Sequence, residues 1–70
     1  MSVNAVRILY TNHRGEMADR TIDPWSLYFG STKWHPEPQW LLRALDLDKN
    51  VERHYAMKDI SSWTSLKSYP

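Results

Sequence analysis

The sequence contains no cysteine, which excludes disulfides, thiolate metal ligands and a cysteine nucleophile together. Only two glycines occur in 70 residues, too few for a Gly-rich loop that cradles phosphate. An excess of one charge is also missing: nine Lys and Arg face eight Asp and Glu, a formal net charge of +1. That balance is far from the basic composition of a protein held to duplex DNA mainly by phosphate contacts. Any anion site must therefore be local. No apolar run approaches the roughly 20 residues of a membrane span. The N-terminus lacks a basic start followed by an apolar stretch, so a cytoplasmic protein without a membrane partner is expected.

What is abundant is aromatic surface: four Trp, four Tyr and one Phe. A domain near this length buries only about 60% of the surface its unfolded chain exposes. Its core supplies roughly 3–5 kcal/mol of net stability at best. Without disulfides, that stability must come from dense aromatic packing, tight hairpins or a partner chain. Homo-oligomerisation is expected, because so large an aromatic load is hard to bury within one small chain.

Alternation along the chain predicts short strands. Val3 to Tyr10 is β-branched and aromatic, and an extended backbone puts Val6, Ile8 and Tyr10 on one face. Thr11 to Glu16 reads as a hairpin turn in which Gly15 takes a positive φ. A second strand follows from Met17 to Ile22, and Asp23-Pro24 is expected to end its pairing. Trp25 to Phe29 resumes as a strand, and Trp34-His35-Pro36-Glu37-Pro38 is an exposed irregular loop. Gln39 to Leu47 has the Leu and Ala content of a short helix, but Pro38 before it and clean alternation after it favour a hairpin with 51–58. Val51, Arg53, Tyr55 and Met57 then share one face, and Asp48-Lys49-Asn50 forms the turn. Ile60 to Leu66 reads as a closing strand or a single helical turn. The expectation is one mainly β, antiparallel, barrel-like domain spanning 1–70 with its core in 3–66.

Candidate chemistry is sparse. His13, His35 and His54 are far apart, without the His-x-x-x-His spacing of a zinc helix. Asp46, Asp48 and Asn50 imitate the start of a calcium loop, but the positions needing Gly and Glu hold Val51 and Met57. Nothing pairs a serine with a general base and an orienting acid. No catalytic residue, metal site or cofactor is expected. The arginines carry more weight, because Arg20 and Arg53 fall on strand faces with apolar neighbours, where an unpaired cation is costly. They either pair with Asp19, Asp23 or Asp59, or form a guanidinium fork for phosphate or carboxylate beside a stacking aromatic. Composition alone favours the internal pairing.

The order of these features resembles the WYL domain family. Tyr10, Asn12 and Gly15 come first, then Arg20-Thr21-Ile22-Asp23-Pro24 with Leu27. Trp40-Leu41-Leu42 and Ala44 follow, then Arg53-His54-Tyr55-Ala56-Met57 and Ile60, so the likeness spans about residues 6–60. The sequence departs from the pattern at Leu41, where the name-giving Tyr would stand, at Ala56, and at Lys58-Asp59. Its loop at 33–38 is also longer than usual. The resemblance implies a small Sm-like or SH3-like antiparallel β-barrel of about five strands that senses ligands rather than catalysing.

It also implies that Arg20 and Arg53 contact an anion, and makes Trp40 a motif position. Arg43, Tyr55 and Lys58 complete the ligand-binding set expected here. The implied ligand is an anionic nucleotide, second messenger or short single-stranded nucleic acid. Such domains usually follow a DNA-binding helix-turn-helix, for which 70 residues leave no room, so a nucleotide-sequestering or accessory regulatory protein is expected. The alternative is a protein-protein interaction or inhibitor module of phage type. It would use Trp34 and His35 in the proline loop, with Trp25, Tyr28 and Phe29 nearby.

Overall fold

The structure, a computed structural model, describes residues 4–66; Val3 of the expected first strand lies outside them. Five antiparallel strands form one sheet: β1 (Val6–Thr11), β2 (Met17–Gly30), β3 (Gln39–Asp46), β4 (Val51–Ala56) and β5 (Ile60–Ser65). Their spatial order is β4-β3-β2-β1-β5. The mainly β, five-stranded expectation holds, and the helical alternatives for 39–47 and 60–66 do not.

Local chemistry explains the turns. Between β1 and β2, the Asn12 side-chain oxygen accepts from the amides of Arg14 (2.9 Å) and Glu16 (3.0 Å). Gly15 closes that turn at φ 81°, where a side chain would strain the backbone. Between β3 and β4, Asp46 Oδ1 accepts from the amides of Asp48 (3.0 Å) and Lys49 (3.2 Å). Asn50 leaves this turn at φ 57°, a conformation asparagine tolerates better than most residues. The calcium-like run is thus a hairpin turn in which both Asp46 oxygens are occupied.

Pro24 behaves differently from the expectation. It does not end pairing, because β2 continues for 14 residues through it. Pro24 faces Ala44 and the next matched pair is Ser26–Arg43, so Trp25 is an inserted residue. A bulge tolerates a missing donor and bends the strand. β2 can therefore pair with β1 through Met17–Ile22 and with β3 through Ile22–Gly30.

The cross-strand register defines the inner face. Val6, Ile8, Tyr10, Ile22, Leu42, Ala44 and Tyr55 form the buried cluster, with Met57 and Ile60 packed against it. Leu41 and Ala56, neighbours in the β3–β4 ladder, are also buried. The sheet does not close into a barrel: β4 and β5 are its two edges. Strand β4 stops at Ala56, short of the expected 58, and a single 3₁₀ turn at Met57–Asp59 carries the chain to β5. Three residues span only about 10 Å, so the sheet must curl to bring these edges together. Side-chain contact bridges the gap. The Tyr10 hydroxyl accepts from the Ala56 amide at 3.1 Å, and the Tyr10 and Tyr55 rings meet edge to face at 4.9 Å.

Candidate ligand-binding cleft

Arg20 stands opposite Ile8 in the β1–β2 ladder, so its side chain shares the inner face. Arg53 stands opposite Ala44 and Tyr55 opposite Leu42, on the same face. The incomplete barrel leaves a cleft of about 420 Å³ here, lined by Tyr10, Arg20, Arg53 and Tyr55 together with residues of two turns and the β4 rim. Tyr10 and Tyr55 are buried and mark its deep end.

The two arginines differ in their partners. Arg53 Nε bonds Asp46 Oδ2 at 2.9 Å, while that carboxylate is only 1% exposed. The internal pairing that composition favours thus holds for Arg53, but with Asp46 and not with Asp19, Asp23 or Asp59, and Arg20 pairs with none of these. Burial acts to raise the Asp46 pKa. The Arg53 hydrogen bond, the two turn amides and the Arg53 charge outweigh it, and the carboxyl sits below its usual value. Among the described residues, Arg20 has no carboxylate within ion-pair distance, and its buried Nε has no hydrogen-bond partner. The buried Tyr55 hydroxyl is likewise unpartnered. Burial pushes that phenol up to about 12 and raises Tyr10 as well, against a smaller pull from its Ala56 hydrogen bond. Both phenols are therefore neutral near pH 7 and able to donate.

The mouth is built by the loop after β2. Thr32 and His35 exchange backbone hydrogen bonds of 2.8 and 3.2 Å, and Thr32 Oγ1 accepts from the His35 amide at 3.0 Å. This tight turn holds Trp34 at its corner. The Trp34 ring stacks on His13 of the first turn with centroids 5.4 Å apart, yet remains 62% exposed. Glu52 and His54 form the rim. Glu52 is already held by Arg43 (3.0 Å) and His54 (3.2 Å), and the latter also meets the Tyr28 hydroxyl.

Of the expected ligand-binding set, Arg20, Arg53 and Tyr55 converge, and Trp34 and His35 of the loop join them. Arg43 lies on the opposite sheet face, paired with Glu52 and with its guanidinium 4.6 Å from the Trp25 ring centre. Trp40 packs edge to face on Phe29, outside the cleft lining. Lys58 lines a smaller groove beyond the Trp34 loop and contacts Asp59 at 3.3 Å. Tyr10, Asn12, His13, Thr32, Glu52 and His54 also line the cleft, outside the expected ligand-binding set. Tyr10 was visible as the end of the first strand, whereas Thr32 carried no periodic signal. Among the described residues, no group of three His, Asp or Glu side chains is placed to hold a metal ion.

The described residues thus form a curled five-stranded antiparallel sheet with a cleft that two arginines and two tyrosines line. The chain belongs to the WYL domain family, whose model matches residues 2–65. WYL domains are often ligand-binding regulatory domains, and are generally regulatory rather than catalytic. Comparison with curated proteins and with solved structures finds no match. Among the described residues, no helix is long and apolar enough to cross a membrane.

Proposed function

We propose that this protein binds a phosphate-bearing ligand in the cleft between β2 and β4, as a nucleotide-sequestering or accessory regulatory protein of the cytoplasm. The observation that carries this reading is Arg20, a guanidinium on the inner sheet face that has, among the described residues, no carboxylate partner and a buried, unpartnered Nε. Such an arrangement costs stability in the empty protein. It is understandable if an anion completes it. Arg53, oriented through its Nε by Asp46, leaves its terminal nitrogens to form the second half of a clamp. Isothermal titration against nucleotides, cyclic dinucleotides and short oligonucleotides tests this, repeated with Arg20→Met. Saturable binding that the variant weakens supports the reading, and the oligonucleotide affinity should fall steeply with salt. Binding by none of the panel refutes it.

A second reading, a protein-interaction face, is favoured by Leu27, Phe29 and Trp40. They are 56%, 59% and 54% exposed and share the inner face where β2 and β3 run beyond the core. Such a face also suits association between copies. Sedimentation velocity of the wild type and Phe29→Ser separates the two: a monomer at all concentrations excludes self-association.

A further inference from the structure

The cleft's deep end is composed of donors. Arg20 offers a buried Nε–H and Tyr55 a buried O–H, neither with a partner among the described residues. Tyr10 accepts from the Ala56 amide through its oxygen, which leaves its own proton to donate. Arg53 spends only its Nε on Asp46. The carboxylate on the rim, Glu52, is occupied by Arg43 and His54. The site thus calls for a group that is acceptor on every side. An internal phosphodiester has two free oxygens, one charge and two chain substituents, both of which must leave the cleft. A terminal phosphomonoester presents three acceptor oxygens and about −1.5 to −2 charges on a single stem. Both donors are buried in the empty protein, so a ligand oxygen reaches them only where neighbouring side chains give way, and an end group on one stem asks for the least displacement.

We propose, building on the phosphate reading above, that the cleft recognises a terminal phosphomonoester, carried by a nucleoside monophosphate or by the 5′ end of a short strand. The phosphate sits between Arg20, Arg53 and Tyr55, and the attached base stacks on Trp34 at the mouth. The cleft of about 420 Å³ is at the small end of ligand sites, which run from about 300 to 1,000 Å³. It suits one nucleotide, so the rest of any strand stays outside.

The test is isothermal titration of the full chain with five probes: inorganic phosphate, a nucleoside 5′-monophosphate, its 3′,5′-cyclic monophosphate, and one trinucleotide with a 5′-phosphate or a 5′-hydroxyl. The monoester in each pair should bind about tenfold tighter or better, since a hydrogen bond to a charged group is worth at least that factor. Tyr55→Phe and Arg20→Met should shrink that preference to about twofold or less, and Trp34→Ala should weaken both nucleotides but not inorganic phosphate. If only the trinucleotide shows the preference, the source is a strand end; if only the mononucleotide does, it is a free nucleotide. Equal affinity for monoester and diester overturns this inference and leaves the phosphate reading standing. No binding of any probe overturns both.

Discussion

Replacing Arg20 with methionine should make the empty protein more stable. Methionine keeps the length and apolar stem of the side chain while removing the charge and the buried Nε that has no partner among the described residues. A buried, unsatisfied donor costs about 1–3 kcal/mol, more when charged. Arg20 is only partly buried, so its exposed terminal nitrogens recover some hydration and the lower half of that range applies. A gain of about 1–2 kcal/mol raises Tm by roughly 5–10 °C in a domain of this size. Arg53 provides the opposite sign. Arg53→Met leaves Asp46, 1% exposed, with its two turn amides but no cation. Breaking a buried pair costs about 3–5 kcal/mol. Here Arg53 is 40% exposed and solvent screening lowers the loss to about 2–3 kcal/mol. Urea melts followed by tryptophan fluorescence in phosphate-free buffer measure both changes. A fall in stability for Arg20→Met would show that Arg20 has a partner in the empty protein, and would remove the main reason for assigning it to a ligand.

Acid and alkali should destabilise the fold by different groups. The Asp46 carboxyl lies below its ordinary value of 3.8 when folded, so the unfolded chain takes up its proton more readily. Its contribution is complete above about pH 5 and fades as pH falls through the folded value; Asp46→Asn should flatten that acid limb in pH-dependent urea melts. The Tyr55 phenol moves from 10.0 to about 12 on folding. Its contribution is complete below pH 10 and is lost as pH climbs toward 12, an alkaline limb that Tyr55→Phe should reduce. Gly15→Ala should cost about 1 kcal/mol or more by thermal melting: the added Cβ meets nothing, but φ stays at 81°. Full stability in that variant would mean the first turn adopts another shape.

The strands and turns were readable because alternation and turn chemistry are local. Val6, Ile8 and Tyr10, and then Arg53 and Tyr55, fell on the faces their parity assigns. Parity also carried information about Arg43: it alternates with Leu42 and Ala44, and both of those face inward. Other features depend on register between distant strands. Asp46 sits beside Asp48 in what reads as a solvated turn. Only its pairing with Ile22 and Val51 buries it next to Arg53. Pro24 had the right chemistry for a strand end, but a one-residue bulge at Trp25 made it a corner instead. The contact between Trp34 and His13 joins two irregular segments, where neither periodicity nor spacing speaks. The family's motif order marked Arg20 and Arg53 together, yet gave no sign that one is neutralised and the other is not.

The most direct test is a crystal structure of the protein soaked with a nucleoside 5′-monophosphate. The account predicts phosphate oxygens within about 3 Å of Arg20 Nε and the Tyr55 hydroxyl, with the Arg53–Asp46 pair intact and the base against Trp34. A phosphate bound elsewhere, with Arg20 Nε still unpartnered or turned onto a carboxylate, would contradict it.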